Sequence, residues 1–207
     1  MNRKKSKIRE YLESFIIALV IALFVRSFFI QAFKIPSSSM EPTLLVGDHL
    51  LVNRLSYVVK VPFTDKIIYE ISKPKRGDVI VFRYPMDETK DFIKRVIAIE
   101  GDTIEIKNKV VYLNGEKIAE PYAIFADPII LPRNVAPRDN FGPVKVPKDS
   151  YFVLGDNRDR SLDSRFWGFV RKEHLVGKAF ILYFSWNKEP KNIWGYVRWD
   201  RIGMLIR

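Results

Sequence analysis

The sequence predicts a mainly β protein: an antiparallel β-sheet domain carrying a smaller β-rich insertion, preceded by one N-terminal transmembrane helix. Three observations carry this expectation. A single long apolar run lies near the N-terminus, from Phe15 to Phe33. Beyond it, short segments rich in Val, Ile, Phe and Tyr recur between turns of Gly, Pro, Asn and Asp, the signature of antiparallel sheets. A stretch over residues 105–150 then gives way to Pro, Arg, Asn and Asp, as an insertion of hairpins and loops would.

The 207 residues suffice for one domain with an insertion and a membrane segment. An apolar fraction of 47%, with 14% aromatic, is enough for a packed core and excludes global disorder. There is no cysteine, which removes disulfides, thiolate zinc sites and cysteine nucleophiles together. The net charge of +11 points to nucleic acid or to an anionic membrane face. Five basic residues, Arg3, Lys4, Lys5, Lys7 and Arg9, precede the apolar run, and the others are interspersed with carboxylates. No basic stripe is left for a nucleic acid, and the reading is of no nucleic-acid partner.

Taken in order, residues 1–10 form a basic tail and residues 11–33 an anchor long enough to cross about 30 Å of hydrocarbon as a helix. Arg26 near its far end is expected to snorkel to the headgroups. A cleaved signal peptide is the competing reading, but no small-x-small cleavage site follows the run. A buried core helix is a third, disfavoured because helices apolar on every face are rare in a small β domain. The positive-inside tendency places the N-terminus in the cytoplasm and the remainder outside.

Strands are expected at Asp48–Asn53, Tyr57–Val59, Val79–Phe82, Phe92–Ile99, Thr103–Ile106, Val110–Leu113, Tyr151–Leu154 and Val176–Trp186. Asn114-Gly115 is the strongest two-residue hairpin signal. Residues 119–150 read as irregular loops, and one helical turn is expected near Arg171–Leu175. The main domain therefore comprises 34–104 and 151–207, with 105–150 inserted.

Three stretches carry candidate chemistry. The first, Ile35-Pro36-Ser37-Ser38-Ser39-Met40-Glu41-Pro42-Thr43-Leu44, reads either as a serine-rich juxtamembrane linker or as a nucleophile held at the membrane surface. The second is Lys94. With only His49 and His174 present, and neither in a telling neighbourhood, lysine is the remaining base. An amine must be desolvated to serve near neutrality. Strand alternation puts Lys94 on one side with Phe92, Val96 and Ala98, and Arg95 on the other with Ile93 and Ile97. An ordinary edge-strand lysine is the alternative. The third stretch, Gly155 to Gly168, is either a polar loop tied by Asx turns or a shell that holds a reacting amine in place. No zinc-type His cluster is present, so no metal and no cofactor are expected.

In this order behind an anchor, these stretches resemble bacterial type I signal peptidases, and the likeness runs from the anchor to Arg201-Ile202-Gly203. It rests on Pro36 to Leu44, Arg76-Gly77-Asp78-Val79-Ile80-Val81-Phe82, Ile93-Lys94-Arg95-Val96-Ile97-Ala98 with Gly101-Asp102, and Gly155 to Gly168. The resemblance implies a single-pass serine endopeptidase of the plasma (inner) membrane. It would remove signal peptides from exported preproteins through a Ser-Lys dyad, with preproteins and membrane lipid as partners. Ser39 falls on the nucleophile and Lys94 on the general base. Ser37 and the Ser39 backbone N–H fall on the oxyanion hole. Ser161 falls on the hydroxyl that holds the amine, Asp163 and Arg165 on its supporting ion pair, and Met40 and Ala98 on substrate-binding positions. Ser38 stands where many members have Gly, and Ala98 and Glu100 replace the commoner Gly and Pro; Arg160 also varies. The competing class is a catalytically inactive, membrane-anchored β-rich binding or assembly factor. A self-cleaving repressor-type Ser-Lys peptidase would lack the anchor and carry a DNA-binding domain.

Overall fold

In the computed structural model, which describes residues 7–61, 66–190 and 193–207, the apolar run divides between two kinds of element. Helix α1 spans Lys7–Phe28, and the chain then turns into strand β1, Ile30–Lys34. The run was expected to stay helical to Phe33. Instead residues 30–34 pair with the strand that follows, Asp48–Asn53 (β2), Ala32 opposite Leu51, because β2 offers them a ladder of backbone partners. Among the described residues no helix is long and apolar enough to cross a membrane. The side chain of Arg26 lies outside the described residues.

The strands continue as Val58–Lys60 (β3), Ile67–Glu70 (β4), Val79–Tyr84 (β5), Asp87–Ala98 (β6), Thr103–Lys107 (β7) and Val110–Leu113 (β8). Then come Glu116–Lys117 (β9), Phe141–Lys145 (β10), Ser150–Leu154 (β11), Val170–Arg171 (β12) and Leu175–Ser185 (β13). Helix α2 is a single turn at Ser164–Trp167, and a 3₁₀ turn at Lys172–His174 stands where one helical turn was expected. Asn114 and Gly115 join β8 to β9 with φ of 54° and 87°, as a type I′ turn requires. Strand β10 interrupts the stretch expected to be irregular.

A seven-stranded antiparallel sheet, ordered β1-β2-β13-β5-β6-β11-β12, forms the body; β10-β7-β8-β9 form a second sheet in the insertion, and β3-β4 a separate ribbon. Apolar clusters cover both faces of the large sheet. On one face Val79 and Val81 pack with Leu50, Val52 and Leu182, and with Ile35, Met40 and Leu44 from the β1–β2 connection. On the other, Ile80, Phe82 and Val96 pack with Val153 and Leu175. A third cluster, built on Ile104, Val111 and Phe152, joins the insertion to the sheet. The β1–β2 connection thus folds across the sheet to reach β6. This crossing puts residues 55 positions apart in contact.

The crossing is pinned by a buried ion pair. The fully buried Asp48 carboxylate accepts from Arg201 Nε and Nη2, from Ser185 Oγ at 2.6 Å and from the Leu45 backbone at 2.8 Å. Arg201 also donates to the Thr43 carbonyl at 2.9 Å. Removing one partner of such a pair leaves a buried charge unpaired. Asp48→Ala is expected to cost about 3–5 kcal/mol in urea unfolding, whereas exposed Glu116→Ala is expected to change stability by less than about 0.5 kcal/mol.

Candidate active site

Ser39 lies in a tight turn whose shape follows from its neighbours. Met40 and Leu44 are fully buried beneath it, Leu44 N donates to the Met40 carbonyl at 2.8 Å, and Glu41 N to the Ser38 carbonyl at 3.1 Å. The side chain on the opposite side of the turn from Met40, that of Ser39, faces β6. There Lys94, paired with Ile80 of β5, has its Nζ 2.8 Å from Ser39 Oγ. The amine also donates to its neighbour's carbonyl, Ile93 O, at 3.0 Å and stands 5.4 Å from the centre of the Phe92 ring. Ser37 Oγ is 3.5 Å from Ser39 Oγ.

The loop after β11 closes the site because Leu154, the last residue of that strand, pairs with Arg95. Gly155 then passes so close to Ser39 that an added Cβ would collide with the Ser39 carbonyl and with Ser161 Oγ; only glycine fits. Asn157 N donates to the Ser39 carbonyl at 3.1 Å. Asp163 is fully buried, accepts from Arg165 Nε and Nη2 at 2.8 Å each, and accepts from Gly155 N at 3.1 Å. Ser161 Oγ is buried beside Gly155 with no hydrogen-bond partner among the described residues. The expected contact from this hydroxyl to the Lys94 amine is therefore not made, and Ile93 O holds the amine.

Two residues expected on the substrate side sit elsewhere. Met40 is in the core under the turn, since the residue after Ser39 must face the sheet. Ala98 packs with Phe152 and Ile104: a register shift between Phe152 and Val153 turns this end of β6 away from the face of Lys94. Phe92 and Val96 do share that face. His49 meets Tyr183 edge-on and Phe184 at a tilt, and His174 meets Glu88 at 3.3 Å; neither lines the space beside Ser39.

Sequence reasoning missed the clamp made by Arg95. Alternation aimed it away from Lys94, as observed, but its guanidinium is fully buried and grips Asp156 at 2.8 and 2.7 Å. Thr43 Oγ1 donates to the same carboxylate at 2.6 Å, and Arg95 also donates to the carbonyls of Gly77 and Arg207. One charge pair thus joins the nucleophile turn, the lysine strand, the glycine loop and the C-terminus. The available signal was an arginine inside an otherwise apolar strand, which a fold buries only against a carboxylate.

The sequence profile of the family described as "Signal peptidase, peptidase S26" matches residues 8–186. The chain belongs to that family. Signal peptidase I of Pseudomonas fluorescens is 39% identical over 98% of this chain and 81% of its own. Signal peptidase I of Aquifex aeolicus is 37% identical over 86% of this chain and 84% of its own. Signal peptidase I P of Bacillus subtilis subsp. natto is 34% identical over 91% of this chain and 95% of its own.

In this member of the signal peptidase family a cavity of about 250 Å³ opens directly on Ser39 and Lys94, walled by Pro36, Phe92, Ile93 and Leu162 with Asp91 and Arg160 at its rim. An apolar recess of about 40 Å³, lined by Phe33, Ile35, Val81 and Ile93, adjoins it. A larger cavity, about 500 Å³, lies between β7 and β10 in the insertion and holds none of the predicted site residues.

Burial pushes the Lys94 amine down to about 8; Asp163 and Asp156 pull it back up, and Arg165 depresses it further. At pH 7 about one amine in ten is then neutral. A neutral amine has a lone pair for the Ser39 proton; a charged one can only donate to Ser39 Oγ. Activity is expected to rise with pH through a limb near 8. The linked stability has a definite sign. Between pH 8 and 10.5 the unfolded chain binds more protons than the fold at this site, so stability rises with pH there and is lost as pH falls through 8. Lys94→Met is expected to be more stable than the parent by up to about 3 kcal/mol at pH 6–7, and the gap should close near pH 10.5, read from urea unfolding at each pH.

Proposed function

We propose that this chain is a membrane-tethered serine endopeptidase that removes signal peptides from exported preproteins, and that Ser39 and Lys94 carry out the chemistry. The 2.8 Å approach of the Lys94 amine to the Ser39 hydroxyl, inside an apolar wall, is the observation that carries the proposal. Curated relatives named signal peptidase I, about a third or more identical over most of both chains, support the substrate class.

The neutral Lys94 amine takes the proton as Ser39 Oγ attacks the carbonyl carbon of the scissile peptide bond. The carbonyl oxygen becomes an oxyanion, which the Ser39 N–H and the Ser37 hydroxyl stabilise in this reading, Ser37 Oγ lying 3.5 Å from Ser39 Oγ; loss of one such donor typically costs about 10²–10³ in rate. Protonated Lys94 returns the proton to the leaving amine, giving an acyl-enzyme and the free mature N-terminus. The amine, neutral again, then takes a proton from water, whose oxygen attacks the ester; as the acyl C–O bond breaks, Lys94 returns that proton to Ser39 Oγ and the signal peptide leaves. Asp163 and Arg165 hold the loop against the dyad, and Ser161 packs against Gly155 within it. The apolar recess beside Ile35 and Ile93 suits the small side chains that precede signal-peptide cleavage sites.

The anchor is part of the same proposal. Helix α1 has 22 residues, about 33 Å at 1.5 Å per residue, and it exposes Phe15, Ile16, Ile17, Leu19, Val20, Ile21 and Leu23. Exposed apolar side chains all along a helix call for lipid or a partner to cover them. In this reading that end is cytoplasmic and the β domain outside, which the basic Lys7 and Arg9 at its start support through the positive-inside tendency. Tethering holds the dyad at the bilayer surface, where the substrate's own apolar segment still resides.

Ser39→Ala and Lys94→Met are each expected to abolish cleavage of a preprotein by the detergent-solubilised protein, with thermal melts that stay cooperative. A folded variant that still cuts would assign the chemistry elsewhere. Deleting residues 1–28 is expected to move the protein from the membrane pellet to the soluble fraction.

A further inference from the structure

Among the described residues the insertion, residues 105–150, makes no hydrogen bond to the dyad, yet it supplies partners to three charged side chains of the loop that presses on it, Arg158, Asp159 and Arg165. Arg158 is buried and forms a two-pronged pair with Glu120, Nη1 donating to Oε2 at 2.7 Å and Nη2 to Oε1 at 2.5 Å. The same guanidinium donates through Nε to the carbonyl of Gly155 at 3.2 Å, and the Arg158 carbonyl accepts from Arg165 Nη2 at 2.6 Å. Arg165 Nη1 in turn donates to the Arg138 carbonyl in the insertion at 2.6 Å. Asp159 accepts from Lys109 at 2.8 Å, and Ile124 exchanges backbone bonds with Asp156 and Arg158 at 2.8 and 3.0 Å. Gly155 is the residue wedged between Ser39 and Ser161.

We infer that the insertion is a clamp on catalysis and that Glu120 is a positioning residue, which acts through Arg158 to hold Gly155 against the carbonyl of the nucleophile. The inference rests on the peptidase reading above. Its physical content is simple. Gly155 has no side chain of its own to fix it, so its place is set by bonds to its backbone. Asp163 takes its N–H and Arg158 its carbonyl. Asp163 is itself held by Arg165, which leans on the insertion. Among the described residues Glu120 is the carboxylate hydrogen-bonded to Arg158, and Asp163 acts on it only through space. Releasing that grip lets the loop back away from Ser39 and admits water to the Lys94 amine, beside which Asp163, Asp156 and Arg165 are the charged groups. A shift of about 1 Å at a reacting group is worth about a hundredfold in rate.

A merely structural pair would lower stability and nothing else, so the test separates the two. Wild type, Glu120→Ala and the double variant Glu120→Leu with Arg158→Met are compared on a preprotein for kcat, KM, the pH limb and the thermal melt. Glu120→Ala strands a buried guanidinium and is expected to melt lower. The double variant leaves no unpaired charge and is expected to recover the melt. The clamp predicts that kcat stays down by about 10–100-fold in both, with KM within about twofold and the acid limb moved above that of wild type. Recovery of kcat and of the limb together with the melt overturns it. Wild type that fails to cut, or cuts without Ser39, would instead overturn the peptidase reading on which it stands.

Discussion

Everything in this molecule is arranged around the cost of burying one amine. Lys94 sits among Phe92, Ile80 and Val96, where a charge is poorly solvated, and among the described residues no carboxylate forms an ion pair with it. Its two polar partners are a serine hydroxyl and a backbone carbonyl, neither of which repays the loss of water to an ammonium ion. Asp163 and Asp156 act on it from farther off and restrain the shift rather than cancel it. The amine is therefore poised near neutrality by desolvation, and stability is surrendered below that point to keep it so.

That cost dictates how the remaining charges are used. Arg95, next along the strand, is as deeply buried but is paired bidentately with Asp156. Arg165 is paired with Asp163, Arg158 with Glu120 and Arg201 with Asp48. Arginine suits this role because its planar fork stays charged and matches a carboxylate with two bonds. Lysine suits the other because its single amine yields its proton when desolvated. The same interior thus pairs four guanidinium groups with carboxylates and depresses one amine by leaving it with uncharged partners. Of these pairs, Asp156 and the Asp163–Arg165 pair act on the amine directly.

Much of this was legible in the sequence. The strands at Asp48–Asn53, Val79–Phe82 and Thr103–Ile106 follow from alternation and turn chemistry, and Asn114-Gly115 forms its hairpin. The pairing of Ser39 with Lys94, and of Asp163 with Arg165, was expected from the residues that resemble the family motifs, and both pairs are in contact. Strand β1 was hidden inside an apolar run that reads equally well as helix, because a short apolar strand and a helical segment have no distinguishing period. Met40 and Ala98 were misplaced for a different reason. Which way a side chain points after a tight turn, or beyond a register shift, depends on backbone geometry that residue types do not encode.

The sequence by itself offered a serine and a lysine on segments behind an apolar run, and their resemblance to the family motifs is what singled them out as a dyad. Local pattern suffices to say which groups exist and how each segment alternates, but not which of them meet. The tertiary structure decided the rest. It carried the β1–β2 connection across a sheet so that a turn met a distant strand, and gave Arg95 its carboxylate. It also set the insertion against the loop beside Ser39. Those contacts join residues tens to more than a hundred positions apart, and only the packed sheet, with water excluded from both faces, makes them stronger than hydration.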